Sequence, residues 1–147
     1  MENKQKTIVT IEATINAPVE KVWKYWGEPE HIRQWAFASD DWHAPHAEND
    51  LRTNGKFSTT MAAKDGSYSF DFGGVYTNVE PGKLAEYELG DGRKVKVSFH
   101  PSGSETKVVQ SFEVETENPV EMQKAGWQAI LNNMKRYVEG EGIEVRR

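Results

Sequence analysis

The sequence predicts an α+β domain in which one long helix packs across a curved antiparallel sheet. The first observation is an apolar stripe near the C-terminus, within a sector of roughly 100° of a helix. The stripe comprises Val120, Trp127, Ile130, Leu131, Met134 and Val138. The second is a series of short alternating segments separated by turn residues, which is typical of hairpin-linked strands. Because a lone helix cannot bury such a stripe on itself, we expect it to lie across the sheet.

The first third of the chain predicts one strand and two short helices. Apolar and polar residues alternate over residues 7–15, as in a half-buried strand. Pro18 opens a short helix that Gly27 ends, and Pro29 opens a second that runs to Trp35 or one residue further.

The middle of the chain predicts about six strands. Residues 38–55 are the least regular part, and we expect a strand near residues 41–46 followed by a loop. Turn residues then recur at short intervals, with Asp91-Gly92 the strongest hairpin signal. The strands between these turns are predicted at residues 57–63, 69–79, 84–89, 93–100 and 106–116. Gly73-Gly74 interrupts one of them and indicates a bulge or a sharp bend.

The long helix has recognisable ends. Asn118 is the expected cap, Pro119 the first helical residue, and Gly140 the stop. Inside the helix, Gly126 predicts a close approach to the sheet, at a helix-propensity cost of about 1 kcal/mol relative to Ala.

Composition favours a single soluble domain over residues 1–147, with its core at about 7–139. Lys and Arg total 18 against 23 Asp and Glu, a net charge of −5, which argues against a nucleic-acid partner or an anionic membrane. There is no cysteine, so disulfides and thiolate metal sites are excluded. The first residues lack the apolar core of a signal peptide, and no stretch is apolar enough for membrane insertion. We therefore expect a cytoplasmic protein.

Aromatic residues are abundant and concentrated. The chain has five Trp, five Tyr and six Phe, and four of the tryptophans lie between Trp23 and Trp42. Such a group either plugs one end of the sheet or lines a cavity for an apolar ligand. In the second case, Trp35 and Phe37 would belong to the cavity mouth.

A gap between the helix and the sheet would be a binding cavity. Its helix wall would be formed by Trp127, Ile130, Leu131 and Met134. Its sheet wall would be formed mostly by aromatic residues, namely Phe57, Met61, Phe70, Phe72, Tyr87, Val97, Phe99 and Phe112. Polar residues on the inward-facing lines, of which Tyr76, Gln110 and Gln123 come first, need an internal hydrogen bond, a water or a ligand, because an unpaired buried group costs roughly 1–3 kcal/mol.

Catalytic and metal signals are weak. The polar segment with Asp40, His43 and His46 has oxygen and imidazole groups that suit a metal, but the three-residue histidine spacing places the two rings on opposite faces of a strand. Nucleophile and phosphate-loop motifs are absent from the sequence. We therefore predict no catalytic residue, no metal and no cofactor.

Several segments resemble the START/Bet v-like (SRPBCC) superfamily, and most of all its branch related to the heat-shock-protein-90 ATPase activator (AHSA-like). The helical segments that carry this resemblance are residues 17–23 (APVEKVW), 29–35 (PEHIRQW) and 126–131 (GWQAIL) with Tyr137. The strand segments are 72–76 (FGGVY), 79–81 (VEP) and 91–93 (DGR). The resemblance implies a helix-grip fold, with a seven-stranded antiparallel sheet wrapped around the C-terminal helix and a deep cavity between them.

Three functions follow as hypotheses. The first is binding of a small, mostly apolar ligand, lipid or polyketide-like, between the helix and the sheet. The second is a chaperone-interacting module of the heat-shock-protein-90 ATPase activator type, which would need an exposed apolar patch. The third is a cyclase or hydratase-type enzyme, with His43, His46 or Tyr76 as acid–base candidates.

Overall fold

Seven strands and three helices account for most of residues 7–140, the part of the chain that the structure, a computed structural model, describes. The elements in chain order are β1 (Ile8–Ile15), α1 (Val19–Gly27), α2 (Pro29–Trp35), β2 (Trp42–Asn49), β3 (Lys56–Ala63), β4 (Ser69–Glu80), β5 (Leu84–Leu89), β6 (Lys94–Ser102), β7 (Glu105–Glu113) and α3 (Val120–Val138). Within these residues, no helix is both long and apolar enough to cross a bilayer.

The strands form one antiparallel sheet in the order β1-β7-β6-β5-β4-β3-β2. Consecutive strands from β2 to β7 are neighbours, as their hairpin turns require, whereas β1 pairs with the last strand. The two short helices therefore carry the chain from one edge of the sheet to the other. This arrangement confirms the predicted α+β class and the helix-grip fold.

The predicted hairpin at Asp91-Gly92 is confirmed. Gly92 has a φ of 94°, a left-handed conformation that favours glycine. The amide of Leu89 donates to the carbonyl of Arg93 at 2.8 Å, which closes the turn between β5 and β6. The turn sets the register in which Tyr87 lies opposite Val95.

Strand β2 is longer than predicted, because it continues to Asn49 where the sequence indicated a loop after residue 46. Its pairing with β3 shifts register between His43 and His46, so the side chains do not alternate regularly. Pro45 lies in this irregular stretch of an edge strand, where a missing N–H is tolerated.

Of the bulge or sharp bend predicted at Gly73-Gly74, the bulge is wrong in position. Both glycines pair regularly with β3, and the irregularity of β4 falls between Tyr76 and Asn78 instead. A side chain does not fit at Gly74, since a Cβ there would collide with the carbonyl oxygen of Glu88.

Helix α3 begins at Val120, one residue later than predicted, and Asn118 is not its cap. Pro119 precedes the helix in an extended conformation, while the Asn118 side chain donates to the carboxylate of Glu115 at 2.6 Å. Gly140 ends the helix as predicted, with a φ of 84°.

The predicted close approach at Gly126 is also wrong. A Cβ built on this residue would meet no atom within 4 Å, so the backbone faces open space.

Of the predicted stripe, Leu131, Met134 and Val138 are buried, whereas Val120 is 38% exposed. The apolar stripe of α3 is therefore buried mainly in the C-terminal half of the helix.

Candidate functional site

A cavity of about 330 Å³, which we call the main cavity, lies between the inner face of the sheet and helices α2 and α3. Strand β3 contributes Phe57, Thr59 and Met61 from alternate positions, which point to the same face of the sheet. Thr59 is paired with Phe72 of β4 and Met61 with Phe70, so these side chains form adjacent rows. The sheet wall is therefore mostly apolar.

Helix α3 forms the opposite wall. Residues Gln123, Trp127, Ile130, Leu131 and Met134 recur every three or four positions and face the main cavity. The indole of Trp127 stacks on Phe112 of β7, with centroids 4.1 Å apart, and meets Phe72 edge to face at 5.8 Å. These contacts hold the helix at a fixed distance from the sheet.

Three rings pack together inside the main cavity. The ring of Phe57 lies 4.9 Å from that of Tyr87 and 5.1 Å from that of Tyr76. Burial raises the pKa of both tyrosines well above its ordinary value of 10.0. Both hydroxyls are therefore protonated at neutral pH and can donate hydrogen bonds.

The hydroxyl of Tyr76 is already engaged. It donates to Oδ1 of Asn49 at 2.5 Å, and Nδ2 of Asn49 donates to the carbonyl of Gly27 at 2.6 Å. The chain of hydrogen bonds joins β4, β2 and the end of α1. Tyr76 thus has an internal hydrogen-bond partner, which is the first of the alternatives given for the inward-facing polar residues.

Two other polar side chains, those of Thr59 and Gln110, line the main cavity. Thr59 is only 6% exposed, and its hydroxyl makes no hydrogen bond within residues 7–140. Gln110 of β7 lies beside Tyr87, where its side chain partly offsets the effect of burial on the pKa of that tyrosine. The hydroxyl of Thr59 is therefore available to a ligand, whereas the side chain of Gln110 is already hydrogen-bonded to Tyr87.

The amide of Gln123 binds the loop that leads into α3. Its Oε1 accepts from the amide of Glu115 at 2.9 Å, and its Nε2 donates to the carbonyls of Glu115 and Asn118 at 3.0 and 2.8 Å. Both amide protons are used. Gln123, which is 7% exposed, therefore joins the start of α3 to the preceding loop by hydrogen bonds.

Charged groups lie at one part of the lining. Arg93 and Glu115 both line the main cavity, and Nε of Arg93 donates to the carboxylate of Asp91 at 2.8 Å. The carboxylate of Glu115 accepts hydrogen bonds from Asn118, which are the main reason that its pKa lies below the ordinary value. The positive charge of Arg93 lowers this pKa further, so Glu115 is also an electrostatic partner of Arg93.

Most of the predicted site residues share this lining. They are Trp35, Phe57, Met61, Phe70, Phe72, Tyr76, Tyr87, Gln110, Gln123, Trp127, Ile130, Leu131 and Met134. Phe99 instead packs against Trp23 and Trp26, Phe112 lies behind Trp127, and Phe37 borders a second groove. Ligand contact remains a prediction for all of these residues.

Some lining residues were missed by the sequence reasoning. They are Trp26, Ile32, Ala36, Asn49, Arg93 and Glu115. Ile32 could have been found, since it lies one helical turn before Trp35. Asn49 could not, because the register shift in β2 hides which of its residues face inward.

Histidines lie outside the described lining of the main cavity. His46 binds Glu48 on the exposed surface at 3.0 Å, and His31 contacts the hydroxyl of Tyr137 at 2.7 Å while stacking on Tyr25. Potential ligand atoms of Glu28, Glu30 and His31 lie within 4.8 Å of one another, with both carboxylates exposed. The lining itself offers no histidine within residues 7–140 for the acid–base hypothesis.

The second groove, also of about 330 Å³, adjoins the main cavity. Both are bordered by Met61, Phe70, Gln123, Trp127 and Ile130. Around it lies what we call the rim patch, formed by Trp42, Tyr68, Phe70 and Met122. Tyr68 is 61% and Met122 59% exposed, and Trp42 meets Tyr68 and Phe70 edge to face at 6.1 Å.

Comparison with protein families gives a match over most of the chain. The family model described as Activator of Hsp90 ATPase homolog 1-like protein matches residues 16–139. Among curated proteins, none matches the sequence.

Solved structures share both fold and sequence with the chain. An AHSA1-like protein from Aeromonas hydrophila is 42% identical with a TM-score of 0.87, over 96% of this chain and 98% of that one. A Cytophaga hutchinsonii protein is 54% identical with a TM-score of 0.77, over 94% and 95% of the two chains. A Nitrosomonas europaea protein, at 19% identity and a TM-score of 0.77 over 92% and 96%, shares the fold.

Proposed function

This chain belongs to the family of Activator of Hsp90 ATPase homolog 1-like proteins in the START/Bet v-like superfamily, and on that premise we propose that it binds a small, mostly apolar molecule in the main cavity. The observation that carries the proposal is the lining, in which aromatic and aliphatic side chains surround a few inward polar groups. Binding pockets for small molecules combine these features.

The size of the main cavity supports a ligand of modest size. At about 330 Å³ it lies near the lower end of the range of roughly 300–1,000 Å³ that ligand pockets occupy. A single-chain fatty acyl group or a compact ring system suits this space better than a two-chain phospholipid.

The hydroxyl of Thr59 supports an occupant that carries some polarity. A buried hydroxyl without a partner costs roughly 1–3 kcal/mol. Because Thr59 has no hydrogen-bond partner within the described residues, a polar atom of a ligand would recover that cost. The ligand is therefore mostly apolar with at least one polar atom.

Native mass spectrometry of the expressed protein, followed by solvent extraction, tests the proposal. The protein should carry a bound species, or gain thermal stability with single-chain lipids or aromatic polyketides. Met61→Trp, which fills the main cavity from β3, should abolish the effect. Val75→Trp is the control, because Val75 is 39% exposed and does not border the main cavity. A protein that binds none of these molecules would refute the proposal.

Chaperone contact is the second candidate, and the rim patch favours it. Exposed apolar residues that are contiguous mark interaction sites more often than scattered ones do. A pull-down with purified Hsp90 should recover the wild type in stoichiometric amount and lose the double variant Tyr68→Ser, Phe70→Ser. Retention of Met61→Trp in the same pull-down would separate this role from ligand binding, and failure to recover the wild type would exclude it.

A further inference from the structure

Arg93 is the single cation among the described residues that line the main cavity. Its side chain is 23% exposed, and its Nε donates to Asp91 at 2.8 Å. The two terminal amino groups donate no hydrogen bond to any residue in the range 7–140. Since a guanidinium has five N–H donors, most of its hydrogen-bonding capacity is unused.

The neighbouring groups add donors to the same part of the main cavity. The hydroxyl of Tyr87 stays protonated, because burial raises its pKa. The side chain of Gln110 is hydrogen-bonded to this hydroxyl, and the positive charge of Arg93 acts on it as well, since both lower its pKa against the larger effect of burial. An oxygen atom placed here would therefore meet N–H and O–H groups from β5, β7 and the β5–β6 turn.

The acidic groups nearby are already engaged. Asp91 accepts from the backbone amide of Arg93 at 3.1 Å as well as from its Nε. The carboxylate of Glu115 accepts from the amides of Glu117 and Asn118 at 2.6 and 3.0 Å, and from Nδ2 of Asn118 at 2.6 Å. In this part of the lining, the two terminal amino groups of Arg93 thus remain without an acceptor among residues 7–140, while the carboxylates of Asp91 and Glu115 already accept hydrogen bonds.

We propose that Arg93 receives an acceptor oxygen of the ligand, either a carboxylate oxygen or a neutral carbonyl oxygen. The molecule in the main cavity is then an apolar chain or ring system with a carbonyl-containing head. This inference rests on the proposed function and specifies the chemical class of the ligand. The head lies at Arg93, and the apolar body lies along Phe57, Phe72 and Trp127.

Three probes of equal chain length test this inference: decanoic acid, methyl decanoate and decylamine. Titrations followed by tryptophan fluorescence should give the acid and the ester affinities roughly tenfold above that of the amine, a difference of about 1.4 kcal/mol. Arg93→Met should weaken the acid and the ester about tenfold and should not weaken the amine, because its ammonium group no longer meets a positive charge.

Arg52→Met is the matched control. Arg52 also pairs through Nε with an aspartate two residues earlier, Asp50 at 2.9 Å, but it is 74% exposed and does not border the main cavity. Arg93→Gln retains an amide donor without the charge, and it replaces Arg93→Met if that variant does not fold. A larger loss for the acid than for the ester would show that the site favours a carboxylate head, and equal losses would show that it recognises only the carbonyl oxygen.

Two results separate the inference from the proposed function. Equal affinity of the three probes, or unchanged binding of acid and ester by both Arg93 variants, would overturn the inference while leaving binding in the main cavity intact. Failure of the wild type to bind any probe would count against the proposed function itself.

Discussion

The indole ring of Trp127 lies parallel to the phenyl ring of Phe112, with an interplanar angle of 6° and centroids 4.1 Å apart. Phe112 lies on β7, next to the edge strand β1, and is paired with Val9 on one side and Val95 on the other. The stacked pair therefore joins α3 to the sheet, and Trp127 itself lines the main cavity.

Trp127→Ala should destabilise the protein by about 3 kcal/mol, because it removes the stacked ring and leaves a void beside Phe112. Trp127→Phe should cost less than half as much. Urea unfolding followed by circular dichroism measures both. Met122→Ala, at a position 59% exposed on the same helix, should change the free energy of unfolding by less than about 0.5 kcal/mol. Equal losses at the two positions would contradict this role for Trp127.

Gly126→Ala should stabilise the protein by about 0.5–1 kcal/mol. The helix gains propensity, and the new Cβ meets no atom within 4 Å. Gly74→Ala is the contrasting variant and should destabilise strongly, since its Cβ would collide with the carbonyl of Glu88. Thermal unfolding of the two variants checks both signs. A destabilised Gly126→Ala protein would mean that the helix approaches a neighbour here after all.

Thr59→Val should raise the free energy of unfolding of the ligand-free protein by about 1 kcal/mol, because it removes a buried hydroxyl without a partner. The adjacent Thr60→Val should lower it by a similar amount, since the Thr60 hydroxyl donates to Asp71 at 2.7 Å. Chemical denaturation of delipidated protein measures both variants. A loss of stability in Thr59→Val would indicate that this hydroxyl has a partner, such as a bound water.

Glu115 should make the stability of the protein sensitive to acid. Its pKa in the folded state is lowered from the ordinary value of 4.5, chiefly by the hydrogen bond from Asn118. A lowered pKa means that the contribution is present above pH 4.5 and is lost as the pH falls through the folded-state pKa. Glu115→Gln should therefore flatten the loss of stability in acid.

Denaturation midpoints measured from pH 6 down to about pH 3 check this slope. The slope should not vanish, because the pKa values of Asp65 and Asp91 are lowered as well. Glu117→Gln is the control, since its side chain makes no hydrogen bond with the described residues. An unchanged slope in Glu115→Gln would show that this carboxylate does not contribute to the acid sensitivity of the protein.

The sequence predicts the fold well because its turns and its alternation are local signals. The hairpin at Asp91-Gly92 and the stop at Gly140 depend only on residues that are adjacent in the chain. The order of strands β2 to β7 then follows from their short connections.

The site was harder to predict, because its polar contacts join distant segments. The partner of Tyr76 is Asn49, which is 27 residues away on a strand whose register shift hides its orientation. Gln123 was expected to need a partner and finds it in the loop before its own helix. Arg93 could have been found, because it lies two residues before Val95 and so shares the inward-facing side of the strand predicted at residues 93–100.

The pairing of β1 with β7 has a consequence for synthesis of the protein. Ile8 lies opposite Glu113, so the first strand waits for more than a hundred residues before its partner leaves the ribosome. The helix that completes the main cavity follows later still. The ligand binding proposed for the main cavity therefore requires that α3 has been synthesised, and nascent chains stalled before α3 should bind no ligand.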